Sequence, residues 1–139
     1  MKGKSGELSI NSEKALRALS LFEPLGCQNN VLDEYQYVTN STGLHRIFEN
    51  QANVNGIFSD VITDYSRRQL IEIAGSCLRV RPKPLAEWLT EAWMDENENI
   101  FGEVYYEIIN QDEGLSDRLS RALDNRFAEM TKSNRAKQI

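Results

Sequence analysis

From Gln69 to Trp93 the chain reads QLIEIAGSCLRVRPKPLAEWLTEAW, and its apolar positions change period partway along. Ile71 and Ile73 alternate with Glu72 and Ala74, Leu78 and Val80 alternate with Arg79 and Arg81, and Gly75-Ser76 separates the two runs. That alternation predicts a β-hairpin, with Gly75 supplying the positive φ of a type II′ turn. A helical alternative stands beside it: Leu70, Ile73, Ala74, Cys77 and Val80 also share a helical face, with Gly75 tolerated at a cost of about 1 kcal/mol. Pro82 and Pro84 push Arg81 and Lys83 toward extended backbone. From Pro84 the period becomes helical, placing Leu85, Trp88, Leu89, Ala92 and Trp93 on one stripe. Trp88 and Trp93 are therefore expected to anchor this helix in the core.

Taken in order, residues 1–10 carry no periodicity and are expected as a flexible lead-in. A first helix is expected from Asn11 or Ser12, with Ala15, Leu16, Leu19 and Phe22 inward, ending at Pro24 and Gly26. VLDEYQYV fits a short helix using Val31, Leu32, Tyr35 and Val38, although its aromatic and β-branched residues also suit a strand. LHRIFENQ predicts a third helix with Leu44, Ile47 and Phe48 inward. A further helix over 57–68 carries Ile57, Phe58, Val61, Ile62 and Tyr65 on its apolar face. Beyond the tryptophans, Ile100, Phe101, Val104, Tyr105 and Ile108 predict one more helix. The last starts near Ser116 on Leu115, Leu119, Leu123, Phe127 and Met130, with Arg118, Arg121 and Arg126 outside. The division expected is a winged-helix-like domain over 11–95, a C-terminal helical pair over 96–133 and a flexible tail over 134–139.

Composition narrows the class. The chain has 139 residues, 40% hydrophobic and 27% charged, enough for one ordinary domain with a core. No apolar run approaches a membrane span, and the two cysteines, Cys27 and Cys77, have no metal-ligand spacing; a cytoplasmic location without membrane association is expected. Residues 87–113 contain nine acidic side chains and no Lys or Arg, so the rest of the chain is net basic. Such a chain is electrically two-sided: a local acidic face can repel nucleic acid or receive a basic partner, although a solvated helix surface is the commoner reason for such a run.

Three of these helices, followed by the hairpin and a helix, make the order of a winged helix. KALRALSLFEPLG, FSDVITDYSRRQLIEIAGSCLRV and RPKPLAEWLTEAW together resemble the winged-helix segment of bacterial signal-transduction NTPases of the STAND class, over Glu13 to Trp93. The resemblance implies a regulatory relay that contacts an NTPase or sensor domain. It implies no catalytic residue, and the chain has no G-x-x-x-x-G-K-[ST] to cradle a triphosphate.

Candidate chemistry is sparse. His45 is the one histidine, neither Cys27 nor Cys77 lies in a nucleophile elbow, and Glu103 and Glu107 sit one helical turn apart without a second metal-binding motif. The chain is expected to be non-enzymatic, without catalytic residues, metal or cofactor. Arg67, Arg68, Arg79, Arg81 and Lys83 form the candidate contact set for a protein partner. The alternative is a DNA-binding winged-helix regulator, in which the 57–68 helix presents Ser59, Asp60, Thr63, Asp64, Arg67 and Arg68 to the major groove. The two aspartates oppose that role, because phosphate contacts dominate such affinity.

Overall fold

Between Ile71 and Val80 the strand period prevails over the helical one. The computed structural model describes the backbone of residues 2–48 and 53–138 and the side chains of 10–48 and 53–133. In it, strand β2 (Ile71–Ala74) pairs antiparallel with β3 (Cys77–Val80), Ile71 opposite Val80 and Ile73 opposite Leu78. The turn has positive φ at both Gly75 (60°) and Ser76 (71°), so it is of the I′ kind and not the expected II′. Leu78 and Val80 are buried along with Ile71, whereas Ile73, near the tip, is 42% exposed.

The chain is mainly helical around this hairpin. Helix α1 (Lys2–Ser20) is followed by a two-residue strand β1 (Leu25–Gly26), a single 3-10 turn (Asn29–Val31) and α2 (Leu32–Asn40). A one-turn helix α3 (Thr42–His45) and helix α4 (Val54–Arg67) lead into the hairpin. Helices α5 (Lys83–Glu96), α6 (Glu98–Ile109) and α7 (Glu113–Gln138) complete it. Strand β1 joins the free edge of β3, Leu25 opposite Leu78 and Gly26 opposite Cys77, giving a sheet of order β1-β3-β2. Gly26 is required there, since a Cβ would lie 2.4 Å from the Val31 carbonyl oxygen.

Several boundaries move. Residues 2–10, expected as a lead-in, belong to α1, for no proline stops the helix before Asn11 and neither Asn11 nor Ser12 begins it. Over the described part of LHRIFENQ, residues 44–48, only the α3 turn forms, capped by Ser41 accepting from the Leu44 amide. Positions 49–52 lie outside the described residues. Helix α4 starts earlier than expected, after Asn53 in left-handed backbone. In α7 the helix continues to Gln138, through most of the expected tail.

The core gathers Leu19 and Phe22 of the α1 end, Val38, Leu44, Phe58, Leu78, Trp93, Ile108, Leu119 and Leu123. Phe48 meets Phe58 edge-on at 5.6 Å between ring centres. Phe101 of α6 meets Trp93 of α5 at 6.2 Å and Phe127 of α7 at 5.8 Å, so one aromatic chain joins the last three helices.

Helix α5 corrects an expectation. Its buried residues are Ala86, Leu89, Thr90 and Trp93, one position round from the expected stripe, and Trp88 is 58% exposed. The cause is the approach of α1. Small Ala86 and Thr90 fit against it, and the Thr90 hydroxyl donates to the Ser20 carbonyl at 3.0 Å. Only Trp93 is the anchor. Tyr105, also expected inside, is 47% exposed, because α6 buries Val104 and Ile108 instead.

Candidate interaction surfaces

The basic set predicted around α4 and the hairpin separates into exposed and structural members. Arg67 is exposed at the end of α4 and makes no ion pair among the described residues. Arg68 is drawn back to Asp64 one turn earlier, at 3.1 Å, and lies 5.3 Å from the centre of the Tyr65 ring. Arg79 stands directly opposite Glu72 in the hairpin register. Arg81 turns inward, its guanidinium 2.9 Å from Glu23 and hydrogen-bonded to the Val80 carbonyl, and Lys83 reaches Glu129 at 3.5 Å. Asp60, Asp64 and Glu72 thus balance Arg67, Arg68 and Arg79 on this face. Arg81 and Lys83 are held by α7 and the end of α1, and Arg81 is structural.

The largest departure from expectation is Arg126. Expected on the exterior of α7, it has no exposed surface. Its Nε donates to the Ser20 carbonyl at 2.8 Å, and its terminal nitrogens lie 3.6 Å from Glu23 Oε1 and 3.4 Å from Glu129 Oε2. Glu23, itself buried, has its carbonyl held by the Asn125 amide and its backbone N–H donating to the Ala122 carbonyl. Burial lowers the Arg126 pKa, opposed by the carboxylates of Glu23 and Glu129. Helix α7 is thereby fastened to the point where α1 ends and the hairpin exits.

A second fastening lies nearer the start of α7. Arg118 donates to both oxygens of Asp33, at 2.8 and 2.9 Å, and to Glu34 at 2.9 Å. The other oxygen of Glu34 accepts from the Gly26 amide at 2.8 Å, so one carboxylate links β1 to α7. The hydrogen bond from Arg118 holds the Asp33 carboxyl below its usual range.

Between α2 and α6 opens a polar cleft of about 440 Å³, lined by Asp33, Tyr37, Asn40, Ser41, Glu107 and Gln111 among others. At its floor Glu107 accepts from the Tyr37 hydroxyl at 2.9 Å, from the Ser41 hydroxyl and from the Gly43 amide at 3.0 Å. Burial pushes the Tyr37 phenol well above its ordinary pKa. Glu103 turns away to pair with Arg46, so the two α6 carboxylates considered for a metal diverge into separate contacts.

The remaining chemistry is equally engaged. The His45 ring nitrogen Nε2 contacts the Thr39 carbonyl. Cys27 directly follows β1 and Cys77 opens β3 opposite Gly26, and burial raises both thiol pKa values, which leaves them protonated and weakly nucleophilic at neutral pH. No helix among the described residues is long and apolar enough to cross a membrane.

Comparison with family models, curated proteins and solved structures finds no match. The surface must therefore be read from its own chemistry. Residues that the sequence reading passed over include Glu23, Glu34, Gly102, Tyr106 and Ile109. The last three form an outward stripe with Tyr105 that was legible as a second apolar periodicity in α6. Glu23 and Glu34 gave no such signal, since their charged partners, Arg81 and Arg126 for the first and Arg118 for the second, are distant in sequence.

Proposed function

We propose that this chain is a non-enzymatic regulatory module of the cytoplasm, built like the winged-helix relay segment of bacterial STAND-class NTPases and acting through contacts with other protein surfaces. An NTPase or sensor domain is the kind of partner this implies. Supporting the winged-helix reading are the order of α1, β1, α2, α3, α4, β2 and β3 and the β1-β3-β2 sheet, with α4 directly before the hairpin. The observation that carries a protein partner over DNA is the charge balance of the α4–hairpin face. Only Arg67 and Arg79 of the basic set stand outside ion pairs, and Arg79 faces Glu72. Two cations release few counterions, so affinity for duplex DNA is weak and shallow in its salt dependence.

The test is titration of fluorescent duplex DNA across a salt series, with circular dichroism on the same sample. The expected result is no binding tighter than roughly 10⁻⁴ M at physiological salt. Micromolar binding with a steep salt slope, abolished by Arg67→Glu and Arg79→Glu in a folded protein, would replace this reading with the DNA-binding regulator.

A further inference from the structure

Helix α6 has two apolar faces. The inner one, Val104 and Ile108, is buried in the core. The outer one consists of Gly102, Tyr105, Tyr106 and Ile109, at i, i+3, i+4 and i+7, the spacing by which one helix packs on another. Tyr105, Tyr106 and Ile109 are 47%, 67% and 49% exposed. No described residue lies within 4 Å of where a Cβ on Gly102 would be. Glycine inside a helix is less stable than alanine by roughly 0.5–1 kcal/mol, and here no neighbour in the chain calls for it. A partner backbone approaching the stripe would.

Charge selects that partner. Glu98 lies one turn before Gly102, and Asp112 and Glu113 follow the helix end; none of them forms an ion pair among the described residues. The wider segment 87–113 contains no Lys or Arg. A second copy docking by the same stripe would bring acidic ends against acidic ends in either orientation. A helix with an apolar face and basic flanks meets the stripe with opposite charge and fills the gap at Gly102.

We propose that the outer face of α6 is a docking surface for a basic amphipathic helix of a partner protein, seated on Tyr105, Tyr106 and Ile109 with its backbone closest at Gly102. The proposal rests on the protein-interaction reading above and names the surface that would serve it. Helix-in-groove recognition of this sort reads a few apolar anchors and uses flanking charge for specificity.

The experiment uses the full chain, isotope-labelled for NMR, titrated with a synthetic leucine/lysine amphipathic helical peptide and, separately, with its leucine/glutamate counterpart. Expected are saturable shifts centred on Gly102, Tyr105, Tyr106 and Ile109 with the lysine peptide, and none with the glutamate peptide. Gly102→Leu should weaken binding about tenfold or more, a loss of about 1.4 kcal/mol. Its side chain enters open space, so the fold is retained; Tyr106→Ala should act in the same direction, while Trp88→Ala on α5 should leave affinity unchanged. Shifts mapping elsewhere, equal binding of both peptides, affinity indifferent to Gly102→Leu, or no binding at all would overturn the proposal. Concentration-dependent shifts at the stripe without peptide would also overturn it, in favour of a second copy. Duplex DNA added to the same sample reports on the underlying reading separately, because its contacts would appear on α4 and the hairpin.

Discussion

If Arg126 is the post that fastens α7 to the rest of the fold, replacing it should reveal coupling to Glu23. Arg126→Met keeps a side chain of similar reach and deletes the guanidinium. The charge-assisted bond from Nε to the Ser20 carbonyl, 2.8 Å long, is lost; bonds of this sort contribute roughly 1.5–3 kcal/mol. Two compensations remain. The Ser20 carbonyl keeps the Thr90 hydroxyl at 3.0 Å, and Glu23 keeps Arg81 at 2.9 Å. The expected cost is therefore about 2–3 kcal/mol.

The reverse deletion, Glu23→Leu, is harsher. It leaves a guanidinium with no exposed surface held by the Ser20 carbonyl and, as its remaining carboxylate, by the partly exposed Glu129 at 3.4 Å. Breaking a buried pair from one side costs about 3–5 kcal/mol. When both changes are made together, neither charge is stranded, and the double variant should be more stable than the sum of the single losses by about 1–3 kcal/mol. Equilibrium urea unfolding followed by circular dichroism, with the slope checked for constancy, measures all four species. Single losses that add within about 0.5 kcal/mol, or a negligible effect of Arg126→Met, would refute the fastening.

The two tryptophans should behave oppositely: Trp93→Ala should cost about 3–5 kcal/mol, because Trp93 has no exposed surface and meets Phe101, whereas Trp88→Ala should cost less than about 1 kcal/mol in the same unfolding assay. For Asp33 the folded pKa is depressed by Arg118, so its contribution to stability is present above the unfolded carboxyl pKa and is lost as pH falls through the lower folded value. Carboxyl NMR titration should find its midpoint below the ordinary range, and Arg118→Met should return it upward; a midpoint unmoved by that change would remove Arg118 as the cause.

What could be read from the chain alone follows from how local each determinant is. The hairpin was legible because alternation over Ile71–Ala74 and Cys77–Val80 is a local property and the turn residues between them fix the register. Strand β1 was not, since two residues carry no period and their pairing depends on the distant edge of β3. The tryptophan stripe located α5 correctly and misjudged its rotation. Leu89 and Trp93 belong to both readings of the helix, and the choice between Trp88 and Thr90 for the inner face is made by how closely α1 approaches. Arg126 did leave a trace. It falls seven positions after Leu119 and three after Leu123, on the apolar stripe itself, but a charge at such a position looks exterior until Glu23 and the Ser20 carbonyl are brought beside it.

The same contacts change the picture of a frame with a helical extension. Through Arg118, α7 holds α2 and, by way of Glu34, the β1 edge of the sheet. Through Arg126 and Glu129 it holds the end of α1 and, by Lys83, the start of α5. These attachments surround the hairpin's entry into the fold, and Phe127 meets Phe101 of α6 on the same helix. Arg118 and Arg126 of α7, with Arg81 and Lys83 at the hairpin exit, are thus held in contacts within the fold, which removes four cations from the basic half of the chain. The acids of 87–113 are spent differently: Glu107 and Glu103 are engaged within the fold, Glu96 pairs with Arg17, and Glu98, Asp112 and Glu113, around the outer stripe of α6, form no ion pair among the described residues. Charge that the fold does not neutralise is charge available to a partner, and beside the exposed tyrosines of α6 that charge is acidic.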